Sequence, residues 1–184
     1  MGWSRPSSGG VGAARTDVPA ERYDFLIATY ETERLKVLSV WSEFQDADLP
    51  VRPRQDDPRG RSVHEQMVHQ LMSEDLWFRN MLGIDVGAPP LPERETRLEF
   101  IARYAADSGR RQAALREKPE PWWEDDTMFF DARRSRAWIV TRRIAHTAHH
   151  RGQLLAMLRM LGRDVHSTYG PTADTGGLMQ DRAP

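Results

Sequence analysis

The stretch Ile144-Ala-His-Thr-Ala-His-His-Arg-Gly-Gln153 contains three of the six histidines in this 184-residue chain. Apolar residues on both sides of it recur at helical spacing, which predicts one long helix from about Arg133 to Leu161. On that helix His146 and His150 lie one turn apart, about 40° around the axis. Two imidazoles at this spacing can form half of a transition-metal site, and the rest of the chain must supply the other half.

Three further amphipathic helices are predicted from the spacing of apolar residues. The first starts at Pro19 and runs for about 25 residues. The second runs from Ser62 to about Leu82, because Ser62 and Glu65 form a capping box and Gly83 follows. The third runs from about Glu93 to Lys118, and the weak helix formers at 107–110 allow a kink or break there.

The connections between these helices are long and rich in proline and glycine, and no segment shows the alternation expected of strands. The predicted fold class is therefore all-α, a four-helix bundle with long connections. The aromatic-rich segment 118–131 is expected to pack over one end of the bundle.

The two ends of the chain differ in composition from its middle. Residues 1–18 are rich in glycine and serine without periodicity, and are predicted to be a disordered leader before a helical domain at 19–184. The tail from His166 onward is loop-like, but its Thr, Asp, Tyr and Gly content predicts an ordered lid that folds back on the domain.

Composition excludes several classes of protein. The 26 basic and 27 acidic residues nearly balance, which argues against a nucleic-acid or membrane-surface partner. The absence of cysteine excludes disulfides, cysteine-ligated zinc and a cysteine nucleophile. No secretory signal or transmembrane run is present, so a cytoplasmic protein with a small-molecule substrate is expected.

The side of the last helix that carries His146 and His150 also carries Ile139, Gln153 and Met157, so it is expected to face inward. Gln153 can orient a ligand or a bound water from there. His149 lies about 60° from His146 in the other direction and can replace one of the pair, so it ranks second as a ligand.

The third ligand is expected from the second helix, which offers His64 and His69. Their spacing of five residues separates them by about 140°, so they cannot share one metal as in the HExxH motif of zinc proteases. Periodicity mildly favours His64, and the choice between the two stays open on the residues alone. His166 is interpreted as an ordinary loop residue.

Taken together, the two helices resemble the DinB-like (damage-inducible, YfiT-type) superfamily. The matching motifs are Ser62-Val-His-Glu-Gln-Met-Val-His69 and His146-Thr-Ala-His-His150-Arg-Gly-Gln153. The resemblance implies a four-helix bundle that is often a homodimer. It also implies His69, His146 and His150 as ligands of one divalent metal, usually zinc or nickel. Characterised relatives include metal-dependent S-transferases that join a low-molecular-weight thiol to an electrophile, and thiol-dependent isomerases.

Three neutral imidazoles leave a coordination position open, which is typical of a catalytic metal site. Such a site can activate a small-molecule thiol for transfer or a water for hydrolysis. Glu65 is the candidate base for hydrolysis, but it is already used in the capping box, so no catalytic residue is identified. A metal-binding stress protein without turnover is the competing hypothesis. The chain contains no Glu-x-x-His pair, which argues against a ferritin-like oxidase.

Overall fold

Four long helices form the body of the protein, which confirms the predicted all-α four-helix bundle. The structure is a computed structural model that describes residues 22–168, 170, 171 and 176. The long helices are α1 (Asp24–Ser42), α2 (Val63–Leu82), α3 (Arg97–Arg116) and α5 (Arg136–Met160). The shorter elements are a 3-10 turn (Asp46–Asp48), α4 (Glu120–Glu124), β1 (Asp126–Phe129) and β2 (Ala132–Ser135). The predicted leader at 1–18 and most of the predicted lid lie outside the described residues.

Helix α2 begins and ends where the sequence predicts. The Glu65 amide donates to Ser62 Oγ at 3.2 Å, and the Ser62 amide donates to Glu65 Oε2 at 2.8 Å, so the capping box is formed. The helix ends at Gly83, whose φ of 66° lies in the left-handed region that glycine adopts without strain.

The other long helices are shorter than predicted, and in α3 and α5 a side-chain cap starts the helix three or four residues later than expected. Helix α1 has 19 residues rather than about 25. Helix α3 begins after Thr96, whose hydroxyl accepts from the Glu99 amide at 3.4 Å. Helix α5 begins after Ser135, whose hydroxyl accepts from the Trp138 amide at 3.3 Å.

The possible break at 107–110 does not occur, since α3 is continuous there. Ser108 is buried and accepts from Arg34 Nε of α1 at 3.0 Å. A Cβ placed on Gly109 would lie 3.1 Å from Arg34 Nη2, so the small residue leaves room for the Arg34 guanidinium against α3. These weak helix formers therefore serve the packing of α3 on α1.

The expectation that the chain has no strands is wrong in one place. Strands β1 and β2 form an antiparallel hairpin with Asp126 opposite Ser135 and Phe129 opposite Ala132. Each strand has only four residues, too few for alternation to stand out in the sequence. The segment does pack over one end of the bundle, as predicted, because Trp123 is buried there against Tyr23, with 5.3 Å between ring centroids.

The helices pack so that α1 lies beside α3 and α5, while α2 lies beside α5 and more loosely beside α3. Consecutive helices α1 and α2 are therefore at opposite corners of the bundle, which explains the long connection between them. Val165, which follows α5, belongs to the apolar core, and Arg151 Nη1 donates to Thr168 Oγ1 at 3.3 Å. The first residues of the tail thus lie against the bundle.

The core has two apolar clusters, and the buried carboxylate of Glu74 on α2 joins them. Its Oε1 accepts from Tyr30 Oη of one cluster at 2.7 Å, and its Oε2 lies 3.4 Å from Tyr104 Oη of the other. Two buried guanidinium groups balance its charge: Arg111 of α3 at 3.3 Å and Arg143 of α5 at 3.4 Å. Arg143 is thus a carboxylate partner buried inside the bundle.

Each of the four long helices therefore contributes at least one side chain to a single buried ionic cluster.

Within the described part of the chain, no helix has the length and apolar character needed to span a bilayer.

Replacing Glu74 with Ala should lower the free energy of unfolding by about 3–5 kcal/mol, because it leaves Arg111 and Arg143 buried without their carboxylate. Chemical denaturation measures the change. Glu74→Gln, which keeps acceptor oxygen for Tyr30, should lose less than Glu74→Ala. The matched control is Glu31→Ala, which breaks an exposed pair with Arg116 and should cost less than about 1 kcal/mol. Equal losses at Glu74 and Glu31 would contradict the prediction.

Candidate metal centre

Three histidines from two helices meet at one side of the bundle. His69 lies on α2, His146 and His150 lie on α5, and one ring nitrogen from each lies within 4.8 Å of the others. The Nε2 atoms of His146 and His150 are 3.2 Å apart, and the His69 ring centroid is 4.5 Å from that of His150. The structure thus brings together the three residues that the family resemblance implied.

Helix geometry and helix packing create this arrangement. His146 and His150 share a face because they are four residues apart on α5. His69 reaches them because α2 packs beside α5. The His146 ring also lies 5.3 Å from Trp77 of α2, so an aromatic wall limits its position on one side.

Two glutamines determine the tautomer of His150. Its Nδ1 lies 2.9 Å from Gln66 Oε1 and 3.1 Å from Gln153 Oε1. Amide oxygens only accept hydrogen bonds, so Nδ1 carries the proton and donates to both. The lone pair is then on Nε2, which faces His146.

The glutamine pair is itself held in place. Gln66 Nε2 donates to Gln153 Oε1 at 2.7 Å, and Gln153 Nε2 donates to His149 Nε2 at 3.1 Å. The sequence identified Gln153 as an orienting residue but missed Gln66. A signal was present, since each glutamine lies three residues from a histidine of the cluster, Gln66 before His69 and Gln153 after His150.

All three imidazoles are held in the neutral form. Burial, followed by the positive charge of Arg143, lowers the pKa of His146 to about 3. Burial and the neighbouring His69 lower the pKa of His150 to about 4. Burial and the charges of Arg61 and Arg143 also lower the pKa of His69. Neutral imidazoles are the form that binds metal ions.

The donor set fits a tetrahedral transition metal. Two nitrogens bound at about 2.05 Å to one tetrahedral zinc ion lie about 3.3 Å apart, close to the 3.2 Å between His146 and His150. Without an ion, neutral His146 can donate its Nε2 proton to His150 Nε2 across this distance, so a bound ion would replace that hydrogen bond. The cluster is therefore suited chemically and geometrically to hold a divalent ion.

The remaining histidines lie outside the cluster. His64 Nε2 pairs with Glu95 Oε2 at 2.5 Å and its ring packs edge-on against Phe100. The structure thus places His69, not His64, beside the α5 pair, although periodicity mildly favoured His64.

His149 is exposed beside the cluster and forms a hydrogen bond with Gln153. His166 follows α5 and bonds Ser39 and Glu43 of the chain around the end of α1.

Glu65, the candidate base, is already engaged. One carboxylate oxygen accepts from the Ser62 amide, and the other accepts from Arg52 Nη2 at 2.5 Å. The hydrogen bond from the Ser62 amide and the one from Arg52 lower the pKa of Glu65. Arg52 also donates to the Gly60 carbonyl at 2.6 Å, so it ties the connection before α2 to the first turn of that helix.

The cluster opens into a cavity of about 430 Å³. Its wall contains no carboxylate among the described residues and is lined by Arg61, His69, Arg142, His146, His149 and His150. A second cavity of about 280 Å³ is lined by the glutamine pair and lies between the connection before α2 and the end of α5. It is lined by Arg59, Arg61, Gln66, Gln153, Met157, Met160 and three smaller residues.

Solved structures similar to this chain share its fold. A DinB-like protein from Bacillus cereus is 16% identical with a TM-score of 0.70, over 79% of this chain and 97% of that one. A DinB-like protein from Bacillus subtilis is 16% identical with a TM-score of 0.61, over 78% and 93%. YfiT from Bacillus subtilis, described as a probable metal-dependent hydrolase with an unusual four-helix bundle topology, is 19% identical with a TM-score of 0.58, over 88% and 95%.

At these identities the likeness shows the fold and no more. The curated proteins contain no match to this chain. The sequence model of the DinB family matches residues 21–180, which includes all four long helices and the three-histidine cluster. The chain belongs to the DinB family.

Proposed function

We propose that His69, His146 and His150 bind one divalent transition metal, zinc or nickel, and that the protein is a metal-dependent enzyme that transfers a small thiol to an electrophile. The observation that carries the proposal is the meeting of three neutral imidazoles at the wall of an open cavity. Three protein ligands with an open side are typical of catalytic rather than structural metal sites.

A metal ion at this position would act as a Lewis acid that lowers the pKa of a thiol or a water. The protein's own contribution is to position the ligands. Gln66 and Gln153 hold the His150 ring with its Nε2 lone pair facing the site. Arg143, held by Glu74, adds the positive charge that helps keep His146 neutral.

The lining of the cavity favours thiol transfer. Hydrolysis usually requires a general base, and no carboxylate lines the described cavity wall, while Glu65 is bound to Ser62 and Arg52. An ionised thiol is already a nucleophile. In the transfer, a carbon–sulfur bond forms, the bond to the leaving group breaks with its electron pair, and the thiol proton passes to water. The chain has no cysteine, so the thiol is a co-substrate.

Metal-dependent hydrolysis is the second candidate, and His149 favours it. This exposed imidazole lies on the cavity wall, and its acceptor Nε2 would act as the base once a water replaces the hydrogen bond from Gln153 Nε2. YfiT, which shares the fold, is described as a probable metal-dependent hydrolase. Homodimer formation and a cytoplasmic location remain predictions from the sequence.

Changing His69, His146 or His150 singly to Ala should abolish stoichiometric binding of zinc, because the two imidazoles that remain are too few protein ligands to hold the ion tightly. Elemental analysis of purified protein measures the metal, and circular dichroism checks that each variant folds. The control is His64→Ala, which removes a histidine outside the cluster and should retain one ion. Full metal content in all three cluster variants would exclude the site.

Gln66→Ala should weaken metal affinity about 10- to 100-fold, because His150 loses one of the two oxygens that orient it. Competition with a chromogenic chelator measures the affinity. Gln66→Glu keeps an oxygen for His150 Nδ1 and should recover most of the loss. An equal loss in both variants would show that Gln66 matters for packing rather than for ligand orientation.

The two reactions can be separated with zinc- or nickel-loaded protein. Transfer predicts a thioether product from a small thiol and 1-chloro-2,4-dinitrobenzene, with activity lost in His150→Ala and largely kept in His149→Asn. Hydrolysis predicts cleavage of 4-nitrophenyl esters that falls in both variants, since His149 would be the base. Absence of both activities over a broad panel would favour a metal-binding protein without turnover.

A further inference from the structure

Two arginines at the mouth of the histidine cavity lack a partner. Arg61 precedes the N-cap of α2, and Arg142 lies on α5 four residues before His146. Both are exposed and both line the cavity. Among the described residues, neither guanidinium makes a hydrogen bond or an ion pair.

Many other arginines of the bundle pair with carboxylates. Arg163 holds both oxygens of Asp48, at 2.8 and 3.0 Å. Arg59, next to the cavities, pairs with Asp57 at 2.7 Å. At the histidine cavity, by contrast, two guanidinium groups without a paired carboxylate lie beside a site suited to a divalent cation, so the wall is positively charged. A wall of one sign attracts ligands of the opposite sign.

Arg61 has a second distinguishing feature, since it lines both cavities. The Gln66–Gln153 pair lines the second cavity and is hydrogen-bonded to His150 on the wall of the first. A molecule bound at the cluster therefore has Arg61 beside it, and Arg61 also borders the second cavity. The guanidinium presents a planar fork of donors that pairs with the two oxygens of a carboxylate.

We propose that the thiol or electrophile used by this site carries a carboxylate that Arg61 and Arg142 bind while its reacting group lies at the three histidines. The inference rests on the proposed function, because it assumes an ion at the cluster. It adds a substrate class, a small carboxylic acid, and assigns specificity to two residues outside the metal ligands.

The test uses full-length protein loaded with Co²⁺, whose near-ultraviolet absorption reports binding of a thiolate. The probes are 3-mercaptopropionate and 3-mercaptopropionamide, which differ only in the charge of the far end. Each is titrated into wild type, Arg61→Gln, Arg142→Gln and the control Arg59→Gln. The ratio of the two dissociation constants is compared between proteins, so the differing acidity of the two thiols cancels.

Each of Arg61→Gln and Arg142→Gln should weaken binding of the acid about tenfold, as expected for loss of a charge-assisted hydrogen bond, and leave binding of the amide nearly unchanged. Arg59→Gln should leave both unchanged, because Arg59 is paired with Asp57. An effect confined to one of the two variants would overturn the proposal that both arginines bind the carboxylate.

Equal effects on both probes, or no effect in either variant, would overturn the proposal while leaving the metal site intact. Failure of wild-type protein to bind Co²⁺ at all would instead refute the proposed function, and the substrate class would fall with it. Because both arginines are exposed and unpaired within the described structure, their replacement should not unfold the protein.

Discussion

The carboxylate of Glu74 is the constraint on which the rest of the structure depends. It is fully buried on α2, and it is satisfied only when Tyr30 of α1, Tyr104 and Arg111 of α3, and Arg143 of α5 all reach it. Apolar burial is not directional, whereas a buried charge needs its partners at defined positions and is strongly unfavourable without them. The ionic cluster therefore favours one relative placement of the four helices. Arg143 is three residues before His146, so the same cluster also sets the rotation of α5 that turns its histidines toward His69.

The site and the core are thus electrostatically coupled. Arg143 lies against Trp77, with its guanidinium carbon 5.7 Å from the ring centroid, and Trp77 in turn lies beside His146. One cation consequently balances Glu74 and also lowers the pKa of two histidines. The result is a group of neutral nitrogen donors in positive surroundings. Such surroundings suit an anionic ligand at the open side, whether it is a thiolate or the carboxylate of the same molecule.

Local patterns predicted much of this, and long-range pairing accounts for what they missed. The capping box and Gly83 located both ends of α2, and spacing identified His146 and His150 as a pair. Periodicity mildly favoured His64, and only the family motif pointed to His69, because a helical projection cannot tell which polar residue meets another helix. Glu74, Arg111 and Arg143 look like surface charges in the sequence, and their burial becomes visible only when partners 30 to 70 residues away are in place. The sequence did not predict the hairpin, because four-residue strands are too short to show a clear alternation of apolar and polar residues.

The cavities are built from two kinds of structure. All three cluster histidines lie on rigid helices that the buried ionic cluster holds. By contrast, the second cavity is also lined by residues of the connection between α1 and α2: Pro53, Arg59, Gly60 and Arg61. Arg52 of that connection binds the Gly60 carbonyl within it and Glu65 on the first turn of α2. Changes of length or sequence in that connection can therefore reshape the space for a substrate without moving the ligands. Within such a scaffold, the shape of the cavity can diverge while the three histidines keep their positions.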